Sequence, residues 1–269
     1  MGKLKRRKFL GLAGSAAALT IVPRHVLGGN GFIAPSDKIT LGLIGAGTEQ
    51  LGELIRLIPD KRIQIVSVCD PSKEPVGYHQ WSPDNGLKKR IRDLIDDQTW
   101  GGNINVTAGR DAGLDFVQKY YTRISGANYR GISAYEDFRE MLEKEIDMDA
   151  VKVVVPDHLY PSIVIASLRK KKHVIMHKPL GNRVSEVRKT IKAASDHPDL
   201  ITHMLAWSSN YRYQIVKKWI DDGVIGTLRE IHNWSYRPVW QQWQQYFTEQ
   251  PPIPKGFNWD LWLGPWPER

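Results

Sequence analysis

Residues 39–47, Ile39-Thr40-Leu41-Gly42-Leu43-Ile44-Gly45-Ala46-Gly47, decide the fold of this chain. The first six form a short apolar run rich in β-branched side chains, which predicts a buried strand. Two glycines end the run. After them the apolar residues are Leu51, Leu54, Ile55 and Ile58, which have the spacing of a helix.

A second strand and an acidic residue follow this helix. Residues 63–70 form a predicted strand ending in Asp70, 25 residues after Gly45. Strand, glycine turn, helix, strand and acid together indicate a dinucleotide-binding unit, because glycines let the backbone approach a pyrophosphate at the positive end of the helix. The acid falls where it can accept a hydrogen bond from a ribose 2′-hydroxyl and repel a 2′-phosphate, which favours NAD over NADP. The predicted cofactor-binding residues here are Gly45, Ala46, Gly47, Thr48 and Asp70.

The glycine motif departs from G-x-G-x-x-G at its third glycine. That position, where a glycine allows close packing of helix on strand, holds Gln50, and Gly52 comes two residues too late. A glycine turn of this kind also occurs in flavodoxin-like and other α/β folds, so that alternative stays open. The predicted fold class is α/β, with a Rossmann-type doubly wound parallel sheet.

The amino terminus accounts for most of the positive charge. The net charge of +9 includes six basic residues and no acidic ones within residues 1–28: Lys3, Lys5, Arg6, Arg7, Lys8 and Arg24. The rest is too mildly basic to suggest a nucleic-acid surface. With 41% hydrophobic and 25% charged residues, the composition is that of a globular protein.

An export signal is the predicted role of residues 1–28. A basic start followed by a short apolar run over residues 9–22 has the pattern of such a signal. Arg6-Arg7-Lys8-Phe9-Leu10 resembles the twin-arginine motif, with Lys5 where Ser or Thr is usual. We therefore expect a periplasmic protein that uses the twin-arginine export machinery, with the cleavage point open. The alternative is an amphipathic or disordered tail.

Neither cysteine nor histidine predicts a metal site. The chain has one cysteine, Cys69, which excludes an internal disulfide and a cysteine-based metal site and predicts a small buried apolar residue. His173 and His177 would share an ion on a helix. On the predicted strand they are roughly 13 Å apart, which argues against a shared ion.

The remaining pattern alternates strands and helices. Residues 71–135 are interpreted as an insertion over a cofactor edge. Lys178 follows the strand 173–177 at its carboxyl end, where ligands bind in open α/β sheets. Predicted helices cover residues 87–97, 115–121, 135–145, 162–171, 183–195 and 211–222, the last packing Ile215, Val216, Trp219 and Ile220. Predicted strands cover residues 148–155, 173–177, 200–207 and 227–236.

The ordered set of motifs resembles the Gfo/Idh/MocA oxidoreductases (glucose–fructose oxidoreductase, inositol dehydrogenase and relatives). The motifs that carry this resemblance are Gly45-Ala46-Gly47, Asp70, Val155-Pro156-Asp157-His158, His177-Lys178-Pro179 and the stretch Ile-Asp-Asp-Gly-Val-Ile-Gly over residues 220–226. The segments 233–240 and 259–265, with the twin-arginine start, resemble the exported branch of that family.

The resemblance implies a Rossmann domain followed by an α/β domain whose open mixed sheet carries a sugar or cyclitol. The expected division is a signal segment over residues 1–28, an NAD-binding domain over 35–207 and an incomplete substrate domain over 208–269. Lys178 matches the lysine of the family's E-K-P motif, which lies near the nicotinamide ribose and the reacting hydroxyl, whereas His177 replaces the glutamate. Pro156, Asp157, His158 and Pro179 would line the cofactor pocket. The family's catalytic histidine would lie beyond residue 269.

Tryptophan is concentrated near the carboxyl end of the sequence, where eight of the ten tryptophans lie between Trp207 and Trp266. Trp234, Trp240 and Trp243 could stack on the apolar face of a sugar ring. The alternative is a core role, which we expect for Trp219, Trp259 and Trp262. Arg237 and Trp240 are the predicted substrate-binding residues.

The resemblance implies an NAD-dependent oxidoreductase that acts on a secondary hydroxyl of a sugar or cyclitol. Lys178 is the predicted catalytic residue, as a donor to the developing alkoxide or as a base if burial lowers its pKa. An NAD-dependent glycosidase that oxidises a ring hydroxyl transiently is one alternative, and a non-catalytic cofactor-binding remnant is another. A homo-oligomer is a further expectation, because family members often pair through the second sheet.

Overall fold

The strand that begins at Ile39 lies inside a six-stranded sheet whose pairings are all parallel. The computed structural model describes residues 33–74, 86–102, 107–205, 211–232, 234, 248–249 and 252–267. The strands are β1 (Ile39–Ile44), β2 (Ile63–Cys69), β3 (Ser133–Tyr135), β4 (Ala150–Val153), β5 (His173–His177) and β6 (Thr202–Leu205). The helices are α1 (Thr48–Leu57), α2 (Gly86–Ile95), α3 (Arg110–Ser125), α4 (Phe138–Lys144), α5 (Tyr160–Arg169), α6 (Val184–Ser195), α7 (Tyr211–Asp221) and α8 (Trp259–Leu263).

The strand order is β3-β2-β1-β4-β5-β6. This is the order of the doubly wound dinucleotide-binding fold, in which the direction of winding reverses between β1 and β4. At that reversal the carboxyl ends of two neighbouring strands lead away to opposite faces and leave a crevice. The predicted fold class is therefore confirmed.

Alternating side chains of the central strands feed two separate cores. Leu41 and Leu43 of β1 pack with residues of α1, α2 and α3, including Leu54 and Phe116, and we call this side the α1 face. Ile44, Val151 and Val153 pack on the opposite face. Cys69 is buried in that second core, as predicted, and burial raises the pKa of its thiol.

Two predictions between β2 and β4 are wrong. The interpretation of residues 71–135 as an insertion over a cofactor edge fails for α2, because Ile91 and Ile95 are buried in the same core as Leu54. The predicted helix over residues 135–145 begins later, at Phe138, because residues 133–135 pair with β2 as the edge strand β3. Three residues are too few for an alternating pattern to be visible in the sequence.

The segment after β6 also differs from expectation. Helix α7 forms where it was predicted, but Ile215, Val216 and Trp219 are 42, 47 and 51% exposed rather than packed. The predicted strand over 227–236 is wrong for its described residues, 227–232 and 234, which are not in a strand. A strand needs a partner for its backbone groups, and none lies beside these residues in the described part of the chain. No described helix has the length and apolar character required to cross a bilayer.

Candidate functional site

The glycine turn after β1 is fixed by a close backbone approach. Gly45 has φ of +91°, and a Cβ placed there would lie 2.0 Å from the carbonyl oxygen of Val154, the residue after β4. The N–H of Gly45 donates to the carbonyl of Cys69 at 2.8 Å. Only glycine fits both the positive φ and this contact. The turn therefore lies at the reversal of the strand order, held between β2 and β4.

Helix α1 begins directly after this turn. Gly47 is its N-cap and brings no side-chain cap to the first N–H groups of the helix. Uncapped N–H groups and the helix dipole together favour an anion at this end. The positions of Gly45, Ala46, Gly47 and Thr48 therefore suit a pyrophosphate at the carboxyl edge of the sheet.

Asp70 lies beside this turn with its carboxylate directed at the protein backbone. Its Oδ2 accepts from the N–H of Ala46 at 2.6 Å, and its Oδ1 accepts from the N–H of Ser72 at 2.8 Å. The residue is only 4% exposed. Burial raises the pKa of Asp70 to about 6, against the opposing effect of the two N–H groups and the nearby guanidinium of Arg110. Both carboxylate oxygens are therefore hydrogen-bonded to the backbone near the turn. A contact between Asp70 and a ribose stays a prediction.

Arg110 is a residue of this site that the sequence did not reveal. Its Nη1 donates to the carbonyl of Asp70 at 2.6 Å, and its backbone N–H donates to the carbonyl of Ser72 at 2.8 Å. Arg110 is the first residue of α3 and lies next to Gly109, whose N–H donates to the carbonyl of Ala46 at 2.8 Å. A guanidinium is thus anchored beside the turn, although nothing near it in sequence resembles a motif.

Gln50, at the position of the missing third glycine, has no exposed surface. Its Nε2 donates to the carbonyl of Lys152 at 3.2 Å, and its Oε1 accepts from Nζ of the same lysine at 2.7 Å. The amide is therefore satisfied on both sides by one residue of β4. Helix α1 packs on the sheet through this polar pair, where a glycine would have allowed direct contact.

The other predicted site residues also lie at the carboxyl edge. Pro156, Asp157 and His158 follow β4, with Asp157 exposed and the other two half-buried. Lys178 follows β5, is exposed, and forms a cis peptide bond with Pro179. The strand order therefore places the glycine turn, the loop after β4 and the loop after β5 next to one another at the carboxyl edge of the sheet.

The two histidines of β5 have separate surroundings. Nδ1 of His173 accepts from the N–H of Ile201 at 2.9 Å, whereas His177 is 8% exposed and lies near Glu53 of α1. The structure does bring potential metal ligands together elsewhere: oxygens of Glu49 and Glu53 and a ring nitrogen of His177 lie within 4.8 Å of one another. The absence of a metal site stays a prediction. Nζ of Lys152 already bonds Glu53 and supplies a positive charge in this cluster.

The segment 254–266, which we call the strap, returns to the carboxyl edge of the sheet. At one end the N–H of Lys73 donates to the carbonyl of Gly256 at 2.7 Å, and the N–H of Asn258 donates to the carbonyl of Pro71 at 3.0 Å. These contacts tie the strap to the loop after β2. Its helix α8 begins with Asn258 as N-cap, whose side chain accepts from the N–H of Leu261.

The far end of the strap contacts the loops after β4 and β5. A ring nitrogen of His158 lies 2.8 Å from the carbonyl oxygen of Trp262, and its ring meets Trp262 edge-on. The guanidinium of Arg183 lies 4.5 Å from the centre of the Trp266 ring. Trp259 and Trp262 are half-buried and stack on each other, so their predicted core role holds in part.

A cleft of about 770 Å³ opens between the strap and the loops after β2 and β3. Lys73, Arg110, Glu136, Asn258 and Trp259 contribute to its lining. This volume lies within the usual range of small-molecule sites. Of the predicted substrate residues, Arg237 and Trp240 lie outside the described part of the chain, as does Trp243, whereas Trp234 is 85% exposed.

Comparison with known proteins agrees with this geometry. Residues 112–204 match the GFO_IDH_MocA model, described as an oxidoreductase family with an NAD-binding Rossmann fold. This match covers 93 of the 269 residues, within the described part of the chain. The resemblance in the motifs is thereby confirmed at the level of the family.

Individual relatives match over part of their length. Levoglucosan dehydrogenase of Pseudarthrobacter phenanthrenivorans is 32% identical over an alignment of 111 residues that covers 38% of this chain and 27% of that protein. The dTDP-3,4-didehydro-2,6-dideoxy-alpha-D-glucose 3-reductase of Streptomyces violaceoruber is 28% identical over 101 residues, 38% of this chain and 29% of that protein. Apo scyllo-inositol dehydrogenase from Lactobacillus casei aligns at 19% identity and a TM-score of 0.47, over 71% of this chain and 43% of that one. The chain thus matches less than a third of the length of the levoglucosan dehydrogenase and of the 3-reductase.

The raised pKa of Asp70 predicts a pH dependence of stability. Between pH about 4 and 6 the folded chain holds a proton on Asp70 that the unfolded chain has released. The free energy of unfolding therefore falls as the pH rises through this range, by up to roughly 3 kcal/mol for a shift of this size. Asp70→Asn should remove this contribution, seen as the difference between wild type and variant in urea unfolding from pH 4 to 7. Asp147→Asn, at an exposed position, is the control, and an unchanged difference across the range would contradict the assignment to Asp70.

Proposed function

We propose that this chain is an NAD-dependent oxidoreductase that acts on a secondary hydroxyl of a sugar or cyclitol. The observation that carries the proposal is the turn at Gly45, pinned against Val154 at the reversal of the strand order and followed by the uncapped amino end of α1. A Cβ at Gly45 would collide with the carbonyl of Val154, so glycine alone permits the sharp turn that presents the uncapped end of α1 to a pyrophosphate. The residues present therefore fit a dinucleotide, and the family's NAD-binding fold supports NAD.

The residues have separable tasks in this proposal. Gly45, Ala46, Gly47 and Thr48 hold the phosphates through backbone N–H groups, and the cleft by Arg110 takes the adenosine end. When bound, NAD supplies the hydride acceptor. Lys178, exposed at the carboxyl end of β5, donates a hydrogen bond to the substrate oxygen and stabilises the negative charge that develops as the hydroxyl loses its proton.

A sugar-like substrate is supported by the relatives. One is named for levoglucosan and the other for a dTDP-linked deoxy sugar, and both names describe a dehydrogenase or reductase. Each matches 38% of this chain. A preference for NAD over NADP is part of the proposal, with Asp70 as the residue that would exclude a 2′-phosphate.

Thermal unfolding of the full chain with NAD or NADP tests the cofactor. Ligand at about a hundred times its dissociation constant adds roughly 2.7 kcal/mol to the free energy of unfolding. We expect NAD to raise the midpoint more than NADP. Absorbance at 340 nm with a panel of sugars and cyclitols then tests turnover. Hydrolysis without net NADH would indicate a glycosidase, and no shift with either nucleotide would overturn the proposal.

Lys178→Ala should abolish turnover and leave NAD affinity within a few fold, because the lysine acts on the substrate oxygen rather than on the phosphates. Initial rates at 340 nm and NAD titration by calorimetry measure the two effects. Lys189→Ala, which removes an exposed lysine of α6, is the matched control and should behave as wild type. A fully active Lys178→Ala variant would exclude the lysine from the reaction.

We also propose that the chain is exported to the periplasm by the twin-arginine machinery, on the basis of Arg6-Arg7 and the apolar run after them. Replacing both arginines by lysine should retain the protein in the cytoplasm, because the export pathway reads the arginine pair. Immunoblots of periplasmic and cytoplasmic fractions measure this, with Arg24→Lys as the control. Export of the double variant at the wild-type level would contradict the proposal.

A further inference from the structure

A lysine is buried inside the apolar strand β4. Its neighbours Ala150, Val151 and Val153 are apolar and buried, and the Lys152 side chain itself is 5% exposed. A charge in such a place is strongly destabilising unless it is paired and hydrogen-bonded. Lys152 meets this requirement through Gln50 and Glu53, both on α1. The ammonium therefore joins helix α1 to the centre of the sheet.

Glu53 continues the connection from β4 to β5. One of its oxygens, Oε2, accepts from Nζ of Lys152, and the other, Oε1, lies 3.5 Å from Nε2 of His177. His177 is the last residue of β5 and is directly followed by Lys178. One carboxylate thus contacts the buried lysine on one side and, on the other, the residue that precedes the proposed catalytic lysine.

The start of the same helix is fixed by the same lysine. Gln50 lies three residues after the N-cap Gly47 and bonds Lys152 through both its amide nitrogen and its amide oxygen. A shift of α1 relative to β4 would break these bonds and would also move Glu53. The position of the phosphate-binding end of α1 and the position of His177 are therefore linked through side chains.

We infer that Gln50, Glu53, Lys152 and His177 form a positioning network that couples the glycine turn to Lys178. The network crosses the reversal of the strand order, with the turn on one side and the loop after β5 on the other. The inference rests on the proposed function, since it assigns His177 and Glu53 as positioning residues for a cofactor turn and a catalytic lysine. None of the four is assigned a contact with substrate.

The chemistry of the cluster favours this role over metal binding. Glu49 completes a set of three potential metal ligands with Glu53 and His177. A metal ion bound to Glu53 would face the ammonium of Lys152, and the repulsion between two cations at this distance opposes binding. Lys152 is itself the cation that balances the carboxylate.

Hydrogen exchange of the full chain, read by mass spectrometry, tests the coupling without any ligand. His177→Leu removes the contact with Glu53 and leaves Lys152 paired, so the fold should survive. We expect exchange to rise roughly tenfold over residues 44–52 on the far side of the network, as well as near residue 177. His177→Gln, which keeps a nitrogen donor at a similar reach, should restore exchange to within about twofold of wild type. Loosening confined to residues 173–180 would overturn the inference.

The helix side of the network provides the matched pair. Glu53→Gln should raise exchange near residues 176–180 more than Glu49→Gln does. Both carboxylates lie in the cluster with His177, but it is Glu53 that bonds Lys152, whereas Glu49 is exposed. Equal effects of the two variants would assign the change to the loss of helix charge and overturn the inference. Zinc or manganese binding by the wild type that Glu53→Gln removes would also overturn it, because a metal would then take the place of Lys152.

NADH binding separates this inference from the proposed function. If the wild type binds NADH, His177→Leu should raise its dissociation constant about tenfold and His177→Gln should stay within about threefold. Unchanged affinity in His177→Leu would refute the coupling. If the wild type binds no NADH, the proposed function fails, and the exchange data alone decide whether the network couples the two loops.

Discussion

The close approach of Gly45 to the carbonyl of Val154 is the constraint on which this structure depends. A Cβ at position 45 would lie 2.0 Å from that carbonyl oxygen, so no residue other than glycine fits there. Because the N–H of Gly45 is also bonded to the carbonyl of Cys69, the end of β1 is held between both of its neighbours in the sheet. The direction of α1, and with it the position of the uncapped helix end, follows from this one turn. The crevice at the carboxyl edge exists because β1 and β4 then lead to opposite faces.

The strap adds a second constraint at the same edge. It is bonded to the loop after β2 through Asn258 and Gly256, and it contacts the loop after β4 through His158. These two loops flank the end of β1, so the strap forms a wall on one side of the crevice. A segment that was expected to begin a separate domain thus contributes Trp259 and Asn258 to the lining of the cleft. Cofactor fold and strap form one continuous surface there.

How far the sequence predicted these features depends on the range of the interactions. Strands β1 and β5 were predicted with their observed bounds, because buried apolar runs ending in glycine or before proline are local signals. Strand β3 was missed because three residues carry no period. The predicted packing of α7 was wrong although its sequence pattern is amphipathic. Such a pattern shows which face of a helix is apolar but not which element covers that face. Gln50 was identified as a departure, but its partner Lys152 is 102 residues away. The available signal was a lysine within an apolar run. Its contact with Gln50 depends on β1 and β4 being neighbours in the sheet, which the local sequence does not show.

Two buried charges hold the glycine turn from opposite sides. On the β2 side Asp70 accepts from the N–H of Ala46, and on the β4 side Lys152 bonds Gln50. Each charge opposes burial, as the raised pKa of Asp70 and the lowered pKa of Lys152 indicate. Apolar side chains at such positions are often as stabilising or more so. Sequences that break local rules in this way tend to do so at functional sites, where position matters more than stability. The two charges fix the backbone of the turn and the start of α1, the two elements that the proposed cofactor would contact.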